Sequence, residues 1–284
     1  MNFGDLPSEY CKEKNSSIVI LPVPYDGTST WIKGADKGPD AIIDSSVHME
    51  LYDIETNSEV YKNGIYTSKS LTRLSSVNTM VKAVKAKTLD LINQNKFQVT
   101  IGGEHSVTIG VVEALAEKYK EVTVLQLDAH SDMREDYDGS KYNHACAMAR
   151  AKDHFPVVQV GIRSVDSSEL KNIKKENLFL ASEIQKDKTW KDKVVNRLSK
   201  KVYLTIDLDV FDPSIIPSTG TPEPGGLGWY EVIDLIEKVI KEKELIGFDV
   251  VELCPNPNDQ APDFLAAKLI YKILSYKFSG GKNG

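Results

Sequence analysis

Three short segments of the chain are rich in histidine and aspartate, side chains that bind divalent cations. The six candidate ligands are His105, Asp128, His130, Asp132, Asp207 and Asp209. Four aspartates gathered in one place would repel one another at neutral pH, and burial would add a desolvation cost. Divalent cations remove this conflict, because carboxylate oxygens and imidazole nitrogens supply their coordination shell. Six ligands are too many for one four-coordinate zinc, so the set predicts two metals that share carboxylates.

A pair of divalent cations is suited to hydrolysis. Two metals about 3.5–4 Å apart lower the pKa of a water that they share and give hydroxide at neutral pH. The oxygen-rich ligand set favours Mn²⁺ and tolerates Co²⁺, Fe²⁺ or Ni²⁺. Taken singly, each motif could be structural, since one histidine after a strand or one Asp-x-Asp pair often serves packing or a turn. Their coincidence at three strand ends favours the metal site.

Short apolar runs alternate with helical stretches along the chain. The runs predicted as strands are 17–23, 97–101, 122–127, 157–162, 178–181, 201–206 and 245–253, and helices are predicted over 107–119, from 229 onward and over 259–276. Near-continuous apolar runs are typical of strands covered on both faces. Strands alternating with helices predict a mostly parallel sheet with helices on both faces. The prediction is one α/β domain in three layers, spanning residues 1–284.

Each metal-ligating motif follows one of these predicted strands. Open parallel sheets bind their ligands outside the carboxyl ends of the strands. Strand side chains alternate between faces, so Asp128, His130 and Asp132 are expected to point the same way, as are Asp207 and Asp209. The two glycines of the GGEHS segment are expected to supply the backbone freedom that brings its histidine close.

Composition narrows the class of partner. The formal net charge of −6 and the pI near 5.5 give no basic surface for nucleic acid. Residues 1–17 lack the apolar stretch of a signal peptide, and no segment approaches the ~18 apolar residues of a membrane helix. The three cysteines are widely spaced and form no pair. We therefore expect a cytoplasmic protein with free thiols that binds neither nucleic acid nor membrane.

The metal motifs lie inside longer segments that resemble the ureohydrolase family of agmatinases, arginases, guanidinobutyrases and formimidoylglutamases. The matching segments are PVPYDGTST at 22–30, GPDAI at 38–42, GGEHS at 102–106, DAHSD at 128–132, TIDLDVFDPSIIPSTGTPEPGGL at 205–227 and DVVELCP at 249–255. The resemblance implies an arginase-like fold and two Mn²⁺ per subunit. It also implies a small cationic guanidino substrate and a homo-oligomer, either a trimer or a hexamer.

The resemblance also implies a role for each site residue. One Mn²⁺ would be held by His105, Asp128, Asp132 and Asp207, and the other by His130, Asp128, Asp207 and Asp209, so Asp128 and Asp207 would bridge the metals. Asp132 would also orient the hydroxide, Glu252 would pair with the substrate guanidinium, and His144 would shuttle a proton to the leaving amine. Without the resemblance, Glu252 could be a strand-end charge facing solvent, and His144 could be a surface loop residue.

The choice of substrate depends on the loop 133–143. Arginases hold the amino-acid end of arginine there with serine, threonine and asparagine, whereas this loop is acidic and aromatic. That difference and the TGTPEPGGL segment favour hydrolysis of agmatine to putrescine and urea. Guanidinobutyrate, arginine and formimidoylglutamate are the alternative substrates. A metal-binding regulatory protein without turnover is another class, and a two-metal phosphoesterase is a third, although the sequence shows no phosphate-binding loop or arginine cluster.

Overall fold

A single parallel sheet forms the centre of residues 2–279, which are the residues that this computed structural model describes. Its strands are β1 Ile18–Val23, β2 Ile65–Thr67, β3 Phe97–Gly102, β4 Val122–Leu127, β5 Val157–Ile162, β6 Leu178–Leu180, β7 Lys201–Asp207 and β8 Glu244–Val251. Their order across the sheet is β2-β1-β3-β8-β7-β4-β5-β6. All seven predicted strands are present, and no end moves by more than two residues. The sequence does not predict β2, because its three residues do not form an apolar run, whereas β6 is equally short but apolar throughout.

Helices cover both faces of this sheet. They are α1 Gly38–Ser46, α2 Val77–Asn93, α3 Val107–Lys118, α4 Ala147–Lys152, α5 Ala181–Ile184, α6 Trp190–Arg197, α7 Trp229–Glu242 and α8 Ala261–Ser279. Helices α2, α3 and α4 pack in one layer, and α1, α8, α7 and α6 pack in the other. The predicted three-layer α/β fold is confirmed. Of the predicted domain 1–284, residues 1 and 280–284 lie outside the described part.

Two apolar cores, one on each face, hold the sheet between these layers. Strand β7 contributes to both, because Val202 and Leu204 face the core under α7 and α8 while Tyr203 faces the core under α2 and α3. Burying such a side chain stabilises the fold by about 1.5–3 kcal/mol. The sheet is therefore a rigid base for the loops at its edges.

The loops that carry the candidate ligands leave the four central strands. Strands β3, β8, β7 and β4 are neighbours in the sheet, and all run in one direction. Their carboxyl ends therefore meet at one edge, where the segments 102–106, 252–254, 207–210 and 128–132 begin.

Two further expectations concern thiols and membranes. Cys11, Cys146 and Cys254 are all free, as predicted. Among the helices of residues 2–279, none combines the length and apolar character that crossing a membrane requires.

Candidate metal centre and active site

The first group of ligands surrounds His105. Its Nδ1 lies 3.1 Å from Asp132 Oδ2, 3.2 Å from Asp128 Oδ2 and 3.5 Å from Asp207 Oδ2. The ring is buried, and Nδ1 has no hydrogen-bond partner of acceptable geometry. A buried nitrogen without such a partner costs free energy, and here three carboxylate oxygens face it. This arrangement fits a divalent cation between the nitrogen and the oxygens.

The second group surrounds His130 and shares Asp128 with the first. His130 Nδ1 lies 2.8 Å from Asp209 Oδ2 and 3.8 Å from Asp128 Oδ1. Asp128 thus presents Oδ2 to His105 and Oδ1 to His130, which is the arrangement that a bridging carboxylate requires. Asp207 differs, because the structure places it near only one of the two histidines, with its Oδ2 3.5 Å from His105 Nδ1. Its bridging role stays a prediction.

Tight turns, rather than strand alternation, bring these ligands together. Strand β4 ends before Asp128, whose Oδ1 accepts a hydrogen bond of 2.6 Å from the His130 amide. Asp209 lies in a 3₁₀ turn after β7, and its Oδ1 accepts a hydrogen bond of 2.9 Å from the Ala129 amide. The expectation that a strand pleat aligns the ligands is therefore wrong. The carboxylates of Asp128, Asp207 and Asp209 are each fixed by a backbone amide of their own turn or of the neighbouring one.

The glycines before His105 provide space rather than unusual backbone angles. Neither Gly102 nor Gly103 has a positive φ. A Cβ at Gly103 would lie 2.0 Å from the Tyr25 carbonyl oxygen, and one at Gly102 would lie 2.8 Å from Val251 Cγ1. The expectation that these glycines supply unusual backbone conformations is wrong. Glycine is needed because the loop after β1 and strand β8 pass too close to leave room for a side chain.

The buried carboxylates make the site strongly negative, and the pKa values of several of its residues are shifted upward. Burial raises the pKa of Asp128 to about 7, with the charges of Asp209 and Asp132 adding to the effect. Burial likewise raises the pKa of Asp207 well above its usual range. Burial lowers the pKa of His130, but the carboxylates of Asp209, Asp128 and Asp132 together outweigh it and raise that pKa to about 11. A site that attracts protons this strongly also suits divalent cations, so the residues fit the predicted metals.

A cleft opens above the metal ligands and contains the predicted catalytic residues. It has a volume of about 160 Å³ and is lined by Asp132, His144 and Glu252, together with His130, Asp207 and Asp209. The two remaining ligands, His105 and Asp128, are buried. The structure therefore brings all eight predicted site residues together. Which of them bind metal or substrate stays a prediction.

Two of these residues have strained backbones. Asp132 has a φ of +51° and Glu252 a φ of +66°, values that favour glycine. The Asp132 carbonyl accepts the amides of Met148 and Ala149 at 3.0 and 3.1 Å, and Glu252 Oε1 accepts the His105 amide at 2.7 Å. Such strain persists only where surrounding contacts hold it, and it is common at active sites. Burial and the Glu104 carboxylate also raise the pKa of Glu252 well above its usual range.

Several residues that support the site were missed by the sequence reasoning. Gln126 Nε2 donates to Asp128 Oδ2 at 2.6 Å, and Gln159 Nε2 donates to Gln126 Oε1 at 2.6 Å. Arg163 holds the 220–227 segment to the site by donating to the carbonyls of Asp209 and Glu223 at 2.6 and 2.8 Å. The two glutamines carry a readable signal, since each is a polar residue inside an apolar strand. Arg163 carries none, because its partners are backbone atoms.

Replacing Gln126 by methionine is expected to weaken metal binding. The change keeps the length of the side chain but removes the donor that fixes Asp128 Oδ2. Loss of such an outer partner costs about 10–100-fold in metal affinity. Competition with a chelator measures the dissociation constant for Mn²⁺. The matched control is Gln98→Met, another buried glutamine of the sheet, which bonds Thr88 and Thr100 instead. Equal affinities of the two variants for Mn²⁺ would contradict the role of Gln126 in fixing Asp128.

Comparison with known proteins shows the family. The sequence model of the Arginase family matches residues 16–275. The chain belongs to the arginase family. It is 37% identical over 273 residues to an N(1)-aminopropylagmatine ureohydrolase of Synechocystis sp., covering 92% of this chain and 89% of that protein. It is 32% identical to an agmatinase of Pyrococcus horikoshii, with 92% of each chain covered.

Solved structures of arginase-family proteins share the fold. The crystal structure of agmatine ureohydrolase of Thermoplasma volcanium has a TM-score of 0.87 and 30% identity, covering 96% of this chain and 94% of that one. The chain is therefore a ureohydrolase, a hydrolase that acts on guanidino or amidino substrates. The family is metal-dependent, and the two His–Asp groups of this arginase-family chain could bind metal.

Proposed function

We propose that this ureohydrolase uses two Mn²⁺ to hydrolyse agmatine to putrescine and urea. The observation that carries the proposal is the shared carboxylate of Asp128, which faces His105 with one oxygen and His130 with the other. Two cations that share this carboxylate, when bound, supply a water whose pKa is low enough to make it a nucleophile at neutral pH. An oxygen-rich set of four aspartates and two histidines favours Mn²⁺.

The residues of the cleft supply binding, orientation and protons. Glu252 pairs with the substrate guanidinium through directional, charge-assisted hydrogen bonds. Asp132 accepts a hydrogen bond from the attacking water and orients it toward the guanidinium carbon. The bond from that carbon to the alkylamine nitrogen then breaks, and His144 delivers the proton that the amine needs to leave. The water oxygen leaves in urea.

The rim of the cleft favours a substrate without an α-carboxylate. Arg134 is the cation of the 133–143 loop that lines the cleft, and it contacts Asp166 Oδ2 at 3.4 Å and lies 4.5 Å from the Tyr137 ring centroid. Its charge is thus already partnered. Glu135 pairs with Arg150 at 3.0 Å and does not line the cleft. Of the 133–143 loop, Arg134 and Tyr137 line the cleft, and its acids do not.

A substrate panel tests the proposal. Urea release by the Mn²⁺-loaded chain is measured with agmatine, arginine and 4-guanidinobutanoate, and formamide release is measured with formimidoylglutamate at the same concentration. We expect agmatine to be hydrolysed much faster than the three carboxylate-bearing compounds. Faster release from arginine or 4-guanidinobutanoate would overturn agmatine as the substrate. Formamide from formimidoylglutamate is assayed separately, because that substrate yields no urea.

The second candidate substrate is N(1)-aminopropylagmatine, whose hydrolysis gives spermidine and urea. The rim favours it because Trp31, with 69% of its surface exposed, lines the cleft together with Asp166. The aromatic face of Trp31 suits the additional amine of a longer polyamine through a cation–π contact. The 37% identity to the Synechocystis enzyme supports the same substrate.

Replacing Trp31 by leucine distinguishes the two substrates. A cation–π contact contributes about 0.5–2 kcal/mol, so we expect kcat/KM for N(1)-aminopropylagmatine to fall by roughly 2- to 30-fold. Agmatine lacks the aminopropyl tail, and its kcat/KM should change little. The control is Tyr230→Leu, an equally exposed aromatic on α7, which should alter neither. An equal loss with both substrates would argue against a tail-binding rim.

The organisation of the protein is also proposed rather than observed. We infer that residues 1–284 act as one ureohydrolase domain in the cytoplasm, and that copies of the chain assemble as a trimer or hexamer. Sedimentation equilibrium tests the assembly, and a stable monomer at micromolar concentration would exclude it.

A further inference from the structure

We propose that Glu104 and Thr28 are positioning residues that determine which ring nitrogen of His144 carries the proton. The catalytic use of His144 rests on the proposed function. The proton arrangement itself depends only on the contacts among the three side chains, which lie in the loops after β1, β3 and β4.

The first step is the carboxylate of Glu104, which is completely buried. Its Oε2 accepts the amides of Thr28 and Ser29 at 2.5 and 3.0 Å, and its Oε1 accepts the hydroxyls of Thr28 and Ser106 at 2.6 and 2.5 Å. Four donors thus converge on a group that only accepts when ionised. The hydroxyl proton of Thr28 is therefore committed to Glu104.

The second step follows from counting the protons on Thr28. Its Oγ1 lies 3.0 Å from the His144 amide nitrogen and 3.1 Å from His144 Nδ1. A hydroxyl has one proton, and that proton already points to Glu104. Thr28 Oγ1 can therefore only accept, so His144 Nδ1 must donate. The neutral ring then carries its proton on Nδ1 and leaves Nε2 bare.

The bare nitrogen is the one placed for catalysis. Nε2 is on the edge of the ring away from Thr28, and His144 lines the cleft with the Tyr137 ring edge-on at 6.3 Å between centroids. A bare Nε2 can accept a proton from solvent, transfer it to the leaving amine as the C–N bond breaks, and return to the neutral form. A ring protonated at Nε2 cannot begin this cycle, because its free nitrogen would face Thr28.

The substitution Glu104→Gln is expected to reverse the proton arrangement. The amides of Thr28 and Ser29 need an acceptor, so the glutamine oxygen occupies the Oε2 position and its NH₂ the Oε1 position. That NH₂ donates to Thr28 Oγ1, which frees the Thr28 hydroxyl to donate to His144 Nδ1. The neutral ring must then carry its proton on Nε2.

Nitrogen-15 NMR of histidine-labelled chain measures the tautomer directly. The His144 signals are identified by their loss in His144→Gln, and spectra are compared at a pH where the ring is neutral. We expect the Nδ1–H form in the wild type, in Thr28→Ser and in Ser106→Ala, and the Nε2–H form in Glu104→Gln. In Thr28→Val, which has no hydroxyl, the ring of His144 should no longer favour one tautomer. An Nε2–H ring in the wild type, or an unchanged tautomer in Glu104→Gln, would overturn the proposal.

The NMR result and the activity separate two kinds of failure. In an active enzyme, Glu104→Gln should lower kcat by about 10–100-fold with KM little changed, since general acid–base catalysis contributes ~10²–10⁴-fold. If no substrate yields urea, the proposed function fails while the tautomer remains testable. If urea is released but the His144 ring of the Glu104→Gln variant keeps its proton on Nδ1, the positioning role of Glu104 is wrong while the proposed function stands.

Discussion

Replacing Asp128 by asparagine is expected to lower urea release by more than about 100-fold. Loss of a residue that supports a metal ligand costs up to about that much, and the proposal makes Asp128 a ligand itself. The His130 amide requires an acceptor at Oδ1, so the new NH₂ group takes the Oδ2 position. There it meets the NH₂ of Gln126 at 2.6 Å, donor against donor, on the side that faces His105. The variant loses both a bridging charge and the acceptor for a cation beside His105.

Metal content by mass spectrometry and urea release test this result together. The control is Asp234→Asn on α7, an exposed aspartate that pairs with Lys191 at 2.7 Å. It should keep both metals and full activity. An Asp128→Asn chain that binds two metals with wild-type affinity would contradict the shared-carboxylate arrangement. A regulatory metal-binding protein would instead give no urea even as the wild type.

Replacing Glu252 by glutamine is expected to reduce kcat/KM while leaving the metals in place. The glutamine oxygen must accept the His105 amide, as Oε1 does now, so the NH₂ group takes the place of Oε2 beside Gly220 in the cleft. A donor then faces the donors of the guanidinium. Hydrogen bonds to charged groups contribute about 1.5–3 kcal/mol, which corresponds to roughly a 10- to 150-fold loss.

Steady-state kinetics and metal analysis on the same preparation measure this effect. Glu237→Gln on α7, where the carboxylate pairs with Lys241 at 2.8 Å, is the control and should have no effect. If Glu252→Gln retained wild-type kcat/KM, the guanidinium would have to bind elsewhere. If it lost metal instead, Glu252 would act through His105 rather than through substrate.

Much of the fold could be predicted because the signals are local. Strands β4 and β7 are near-continuous apolar runs, as burial on both faces of a sheet requires, and α7 shows a clear apolar stripe. The grouping of the candidate ligands could also be predicted, since each lies at or just after the end of such a strand. The elements β2 and α5 could not, because their three or four residues form neither an apolar run nor a helical stripe.

The internal geometry of the site could not be predicted, because it depends on contacts between distant loops. Glu104 is next to His105 in the sequence, yet three of its four hydrogen-bond donors belong to Thr28 and Ser29, which lie some 75 positions earlier. Glycine is likewise required at position 103 because the carbonyl of the distant Tyr25 leaves no room for a Cβ there. No local sequence pattern reveals such distant pairs. The sequence analysis also expected the alternation of strand side chains to bring the candidate ligands together, whereas backbone amides of the turns after the strands do so.

A titration of the metal-free chain with Mn²⁺ tests the central claim most directly. Urea release from agmatine and from N(1)-aminopropylagmatine is followed as the ratio of metal to chain rises. The two His–Asp groups around Asp128 predict activity that reaches its maximum at two equivalents of metal and is lost again on chelation. Full activity in the metal-free chain, or a maximum at one equivalent, would contradict a two-metal ureohydrolase.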